Sequence, residues 1–194
     1  MKKSKFIICN LLLVFSFAWQ VNSQQFQIDK TKSIITVSGT SSLHDWDVTT
    51  KTFDGEVNAV TEESFNINHL FIKIKSTSLK SGKKSMDKNT YKALKTKKHE
   101  FITFTMTKMN SITPLEDGNY RMKVSGDLEV AGQKRSILIT FLVSKNQDGI
   151  GIIGSKVIHM TDYGIEPPKA LLGAITTGDQ ITIKFNTKFK TEQS

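Results

Sequence analysis

The sequence has one cysteine, Cys9, and it lies in an apolar N-terminal stretch with the form of a secretory leader. Lys2, Lys3 and Lys5 make a basic start, residues 6–18 form the apolar run, and Val21-Asn22-Ser23 supplies the small or β-branched residues that a signal peptidase reads. The run falls short of the about 20 apolar residues that a membrane span needs, and Asn10 interrupts it. Cleavage after Ser23 is therefore expected, with an N-terminal anchor helix as the rival, and the mature chain is expected in the periplasm or outside the cell. Cys9 comes too early to be a lipid-modified cysteine at the cleavage point. Without it the mature chain has no disulfide, although its compartment would allow one, and packing alone must hold it together.

Other absences narrow the chemistry. There is no G-x-S-x-G serine elbow and no cysteine nucleophile after the leader. No Gly-rich phosphate loop or dinucleotide fingerprint is present. His44, His69, His99 and His159 are far apart and match no metal-ligand spacing. His44 and Asp45 are neighbours, and neighbours in a strand point to opposite faces, so they make a poor base–acid pair. No catalytic residue, metal or built-in cofactor is expected. There is also no Pro/Ser-rich linker and no internal repeat. Residues 24–194 therefore read as one domain, and about 170 residues are enough for a single packed core.

The net charge of +9 falls to +6 once Lys2, Lys3 and Lys5 leave with the leader. The excess lysines concentrate between Lys73 and Lys98. No arginine–aromatic interleaving accompanies them, so nucleic acid is not the expected partner. The plain reading is a solvated helix and its flanks; the functional one is transient contact of the 80–98 region with an anionic membrane surface.

The dominant signal is alternation. Ile181, Ile183, Phe185 and Phe189 alternate with Thr182, Lys184, Asn186, Lys188 and Lys190. Tyr120, Met122, Val124, Leu128 and Val130 do the same against Arg121, Lys123, Ser125, Asp127 and Glu129, and Ile102, Phe104 and Met106 against three threonines. Leu70, Ile72 and Ile74 alternate with Phe71, Lys73 and Lys75. A period of two means strands with one buried and one wet face. Further strands are expected at 26–29, 33–40, 44–50, 53–60, 135–144 and 150–158. Turn signals at 116–119, 131–134 and 146–149 make the neighbours antiparallel. Residues around Met86, Tyr91, Ala93 and Leu94 fit a short helix capped by Ser85, and a second helical turn is expected at 168–172. Eight or more such strands favour an all-β antiparallel barrel, which leaves no open edges, over a sandwich. A barrel of about eight strands can be filled by its side chains or can hold one small ligand, and the rows do not say which.

The stretch SGTSSLHDW, residues 38–46, opens a series of motifs whose order and spacing are specific. It is followed in order by Phe53-Asp54-Gly55, by Ser76-Thr77-Ser78-Leu79-Lys80-Ser81-Gly82 leading to Met86-Asp87 and Lys92-Ala93-Leu94-Lys95, and by Phe101-Ile102-Thr103-Phe104. Val124-Ser125-Gly126-Asp127-Leu128 and Met160-Thr161-Asp162-Tyr163-Gly164-Ile165 complete the series. Together these resemble the YceI-like family of bacterial polyisoprenoid-binding proteins over about residues 25 to 190. The resemblance implies a lipocalin-like barrel around a long apolar tail, with a polar head near one mouth. It implies an isoprenoid or similar long-chain amphiphilic lipid, or an isoprenoid quinone, as bound molecule. A carrier or storage role is the first reading; a quinone-dependent redox or stress accessory and a filled interaction module are the alternatives, and a homodimer is possible. The residues expected to meet the ligand are His44, Trp46, Leu70, Ile72, Ile102, Phe104, Met106, Met122, Val124, Ile183 and Phe185. For His44 the first reading is a structural corner, in which Gly39 lets the chain bend, and contact with the ligand head is the second.

Overall fold

A computed structural model describes residues 23–60 and 65–191. The leader expected at 1–23 lies outside them apart from Ser23. The elements are β1 Ser23–Ile28, β2 Ile34–Ser41, β3 Trp46–Thr50, β4 Phe53–Val60, β5 Asn66–Lys75, α1 Lys84–Ala93, β6 Phe101–Pro114, β7 Asn119–Val130, β8 Gln133–Asn146, β9 Gly149–His159, β10 Lys169–Ala170 and β11 Ile175–Thr191.

Every strand pairing is antiparallel. The order β1-β4-β5-β6-β7-β8-β9-β11 returns to its start, because Phe26 and Ile28 of β1 pair with Thr191 and Phe189 of β11. Eight strands thus close into a barrel, and the sandwich is excluded. β2 and β3 extend two of these strands. β2 continues β1 along the edge of β11, with Ile35 against Phe185 and Val37 against Ile183, while β3 pairs with β2 and runs on into β4. The first four strands are therefore one long hairpin, broken at 29–33 and at Lys51-Thr52. At the first break Asp29 N and the Ser33 hydroxyl both donate to Lys188 O, which pins the loop to β11.

The inward rows follow the expected alternation. Met122, Val124, Leu128 and Val130 are buried on β7 while Arg121 and Lys123 face solvent. The rows split by height. Phe26, Val57, Ile67, Met122, Val124 and Val143 belong to a cluster that packs one end solid. Val48, Leu79, Leu94, Val130, Met160 and Tyr163 belong to a second cluster at the other end. Burying each large apolar side chain is worth about 1.5–3 kcal/mol, and no disulfide supplements it among the described residues.

The β7–β8 hairpin shows how tightly turn chemistry sets register. Ala131 and Gly132 both have positive φ, 49° and 78°, the pattern of a two-residue hairpin turn whose twist matches its strands. A Cβ on Gly132 would overlap the His99 ring. Gly132→Val is expected to cost about 1–3 kcal/mol through this strained backbone, read as a lower urea midpoint with an unchanged slope.

Three local expectations are corrected. α1 starts at Lys84 with Lys83 at the cap and no side-chain cap bond, so Ser85 lies inside the first turn. The ordering group is Asp87, whose Oδ1 accepts from Ser81 N and from Ser81 Oγ, both at 2.7 Å. β3 starts at Trp46, not at 44, because Ser41 and His44 close a turn: the His44 carbonyl accepts from Ser41 N and Ser41 Oγ. Finally, Lys169–Ala170 pairs with Ile175 and Thr176 as β10, and the helical turn moves to Leu171–Gly173.

Candidate ligand-binding cavity

Above the solid end, the barrel encloses a cavity of about 410 Å³. Its size is within the ordinary range of small-molecule sites, roughly 300–1,000 Å³. Ile35, Ile139, Ile152 and Phe189 form its deep wall, and Val48, Leu128, Ile158 and Ile165 its upper wall. Two glycines show how tightly the rings below are fitted. A Cβ on Gly126 would overlap Phe104, and one on Gly154 would lie 2.6 Å from the Phe185 ring. Phe185 in turn meets Phe141 edge-on at 6.3 Å between centroids.

The cover is α1. Met86, Asn89, Thr90, Ala93 and Leu94 all line the cavity, and their spacing of three and four puts them on one helical face. Four contacts hold the helix there. The Tyr91 hydroxyl lies 2.9 Å from Thr77 O and 3.0 Å from Leu79 O, Lys80 Nζ lies over the Tyr91 ring, and Lys95 Nζ donates to Gly164 O. Asp87 ties the helix to the preceding loop, and its two hydrogen bonds from Ser81 hold its carboxyl below the usual carboxylate range. A depressed folded pKa stabilises above the unfolded value and is lost as pH falls through the folded one. The helix anchorage should therefore be intact at neutral pH and weaken only on acidification below about pH 4. Asp87→Asn should remove that acid transition from hydrogen-exchange profiles of 81–94.

The mouth lies between the β2–β3 turn, the start of α1 and the 168–177 segment. Leu43, His44, Lys83, Ser85, Pro168 and Lys169 line it. His44 is exposed, with Nδ1 2.6 Å from Asp45 O. Trp46 lies half-buried beside it, and its indole N–H donates to Thr40 O at 3.0 Å. Gly39 pairs directly with Trp46, and a Cβ there would overlap the indole. The glycine therefore makes room for a ring rather than a bend. At the upper wall the 160–163 turn is fastened to β11 through Asp179, whose carboxyl is held below its usual range by the Thr161 hydroxyl at 2.7 Å. Tyr163 in that turn is 2 % exposed, its hydroxyl has no hydrogen-bond partner among the described residues, and burial raises its pKa.

Of the residues expected to meet a ligand, His44, Trp46, Leu70, Ile72, Ile102, Phe104, Ile183 and Phe185 line the cavity. Met106, Met122 and Val124 do not. Met122 and Val124 are 0 % exposed within the solid end, and Met106 packs against that cluster just before the β6–β7 register shifts. Lys156 and the α1 face were missed. Among the described residues no three His, Cys, Asp or Glu side chains gather as a metal would need. His69 pairs with Glu56 at 3.0 Å and His159 lies 3.8 Å from Asp162.

A closed antiparallel barrel, packed at one end and hollow under a helix at the other, has the architecture of a protein that encloses a small apolar molecule. The sequence matches the YceI-like domain over residues 26–189, and the chain belongs to that family. No curated protein matches it. Solved structures share the fold at low identity. Burkholderia cenocepacia BcnA is 17% identical with a TM-score of 0.66, covering 82% of this chain and 98% of its own. A polyisoprenoid binding domain from Saccharophagus degradans, implicated in plant cell wall breakdown, is 15% identical with a TM-score of 0.68, covering 86% and 98%. A mutant Campylobacter jejuni YceI protein is 21% identical with a TM-score of 0.51, covering 74% and 84%.

Proposed function

We propose that this protein is a periplasmic or secreted carrier that holds the tail of an isoprenoid or similar long-chain amphiphile in its barrel. The observation that carries the reading is the cavity itself: a deep apolar chamber with polar groups confined largely to its mouth. A tail of this kind gains about 0.8 kcal/mol for each methylene taken out of water, so it needs few polar contacts. The polyisoprenoid binding domain from Saccharophagus degradans, which has the same fold, supports the choice of tail. The leader expected at 1–23 supports the compartment, and the reading includes no catalytic step.

Trp46 provides the test. It is the only tryptophan in residues 24–194 and it stands at the mouth. Titration with farnesol should shift and saturate its fluorescence at about one ligand per chain. An unchanged spectrum together with no heat of binding would refute the proposal.

A further inference from the structure

Two leucines stand out from the rim of the barrel. Leu43 and Leu172, at 65% and 111% exposure, are the most exposed large apolar side chains among the described residues. Leu43 is in the β2–β3 turn, and Leu172 is at the tip of the hairpin that joins β10 to β11. Leu172 has a φ of 56°, a backbone state uncommon for a bulky side chain, so a strained turn holds this leucine out of the fold. The two loops are fastened to each other. Ser42 N donates to Thr176 O at 2.9 Å, and Thr176 N donates to the Ser42 hydroxyl oxygen at 3.1 Å. Both leucines are therefore presented from one joined rim.

The same rim is cationic. Lys83 and Lys169 line the mouth and Lys84 follows Lys83, all three exposed. None of the three makes an ion pair among the described residues. Lys83 and Lys84 also stand at the start of α1, the positive end of the helix dipole, where a cation is disfavoured. Asp87, the acid of that first turn, is committed to Ser81 and Lys80. No Asp or Glu lines the mouth among the described residues; the carboxylates next along the chain are Asp45 and Glu166.

We infer that this rim docks on an anionic lipid bilayer, with Leu43 and Leu172 entering the interface and Lys83, Lys84 and Lys169 meeting lipid phosphates. Apolar tips within a cationic ring match a surface that offers acyl chains and negative headgroups together. A second copy of the chain is a poor occupant, because a symmetric contact would set the lysines against each other. The membrane contact expected of the whole 80–98 region thus narrows to its start, joined by two loops from elsewhere in the chain. The inference stands on the rim alone and does not depend on the carrier reading.

Flotation with ligand-free vesicles of phosphatidylcholine and phosphatidylglycerol tests it. The native chain should float with the mixed vesicles, stay behind with phosphatidylcholine alone, and be released by high salt. A lysine beside an anionic surface contributes about fivefold, so Lys83→Gln with Lys84→Gln should weaken binding by roughly twenty-fivefold. Leu43→Ser with Leu172→Asn should weaken it by about tenfold or more, and asparagine tolerates the left-handed backbone at 172. Leu142→Gln, an exposed position on the outer face of β8, should bind as the native chain does. All these side chains are exposed, so the melting temperatures should not move. Absence of binding to mixed vesicles, or binding that survives both double variants, overturns the inference. So does an equal loss in Leu142→Gln. A native dimer that the leucine pair dissociates, with no vesicle binding, also overturns it and makes the rim a contact between copies. None of these outcomes bears on the Trp46 titration, so the carrier reading stands or falls separately.

Discussion

Met122→Asp is expected to prevent folding. Met122 is 0 % exposed, and it faces Phe141 on β8 and Ile112 on β6 in the solid end of the barrel. A carboxylate there would enter the buried apolar cluster that includes Phe26, Val57, Ile67 and Val124. Such a group protonates or drags in water, and either way the penalty exceeds about 4 kcal/mol. A domain of this size has about 5–15 kcal/mol in total, and with Cys9 as the one cysteine of the sequence no internal disulfide can compensate. Circular dichroism and solubility should show a loss of cooperative unfolding. Met122→Leu, which keeps the volume, should cost less than about 1.5 kcal/mol and serves as the control. A well-folded Met122→Asp variant would mean that the inward row of β7 has been assigned to the wrong face.

The second large effect belongs to the hollow half. Ile183 lines the cavity and is only half-buried, so a larger side chain there has empty space to enter. Ile183→Trp should fill much of the chamber and reduce farnesol binding by at least about a hundredfold. Because the ring occupies a void rather than displacing packed neighbours, its effect on stability should stay within the 1–3 kcal/mol usual for overpacking. Loss of binding with a retained cooperative melt is the signature of a blocked cavity. The same melt with binding unchanged would place the ligand elsewhere on the protein.

These two residues also show what was legible in the sequence. Met122 and Ile183 stand on inward rows with the same alternation, and a period of two tells which face a residue takes. It does not tell the height along the barrel axis, which decides between plug and chamber. Alternation alone therefore groups Met122 and Val124 with Ile183 and Phe185, although only the latter pair line the cavity. Strands β7 and β11 were readable because their outer rows are polar. β9 is legible as a strand but its facing is not: Ile153 and Val157 are apolar and exposed, so both rows look buried and Lys156 does not stand out. The helix was legible from its spacing. Its anchor was not, because Asp87 reaches back six residues to Ser81 instead of forming a local cap. The geometry of the SGTSSLHDW stretch explains its residues: a Ser41–His44 turn, with an indole laid over Gly39.

The claim that the barrel encloses one amphiphile is tested most directly by mass spectrometry of organic extracts from detergent-free protein, before and after incubation with farnesyl phosphate. The account predicts a single long-chain molecule at about one per chain, either carried through purification or taken up on incubation, and absent from Ile183→Trp. A native chain that yields no such molecule in either extract, or an Ile183→Trp chain that yields as much as the native one, would contradict it.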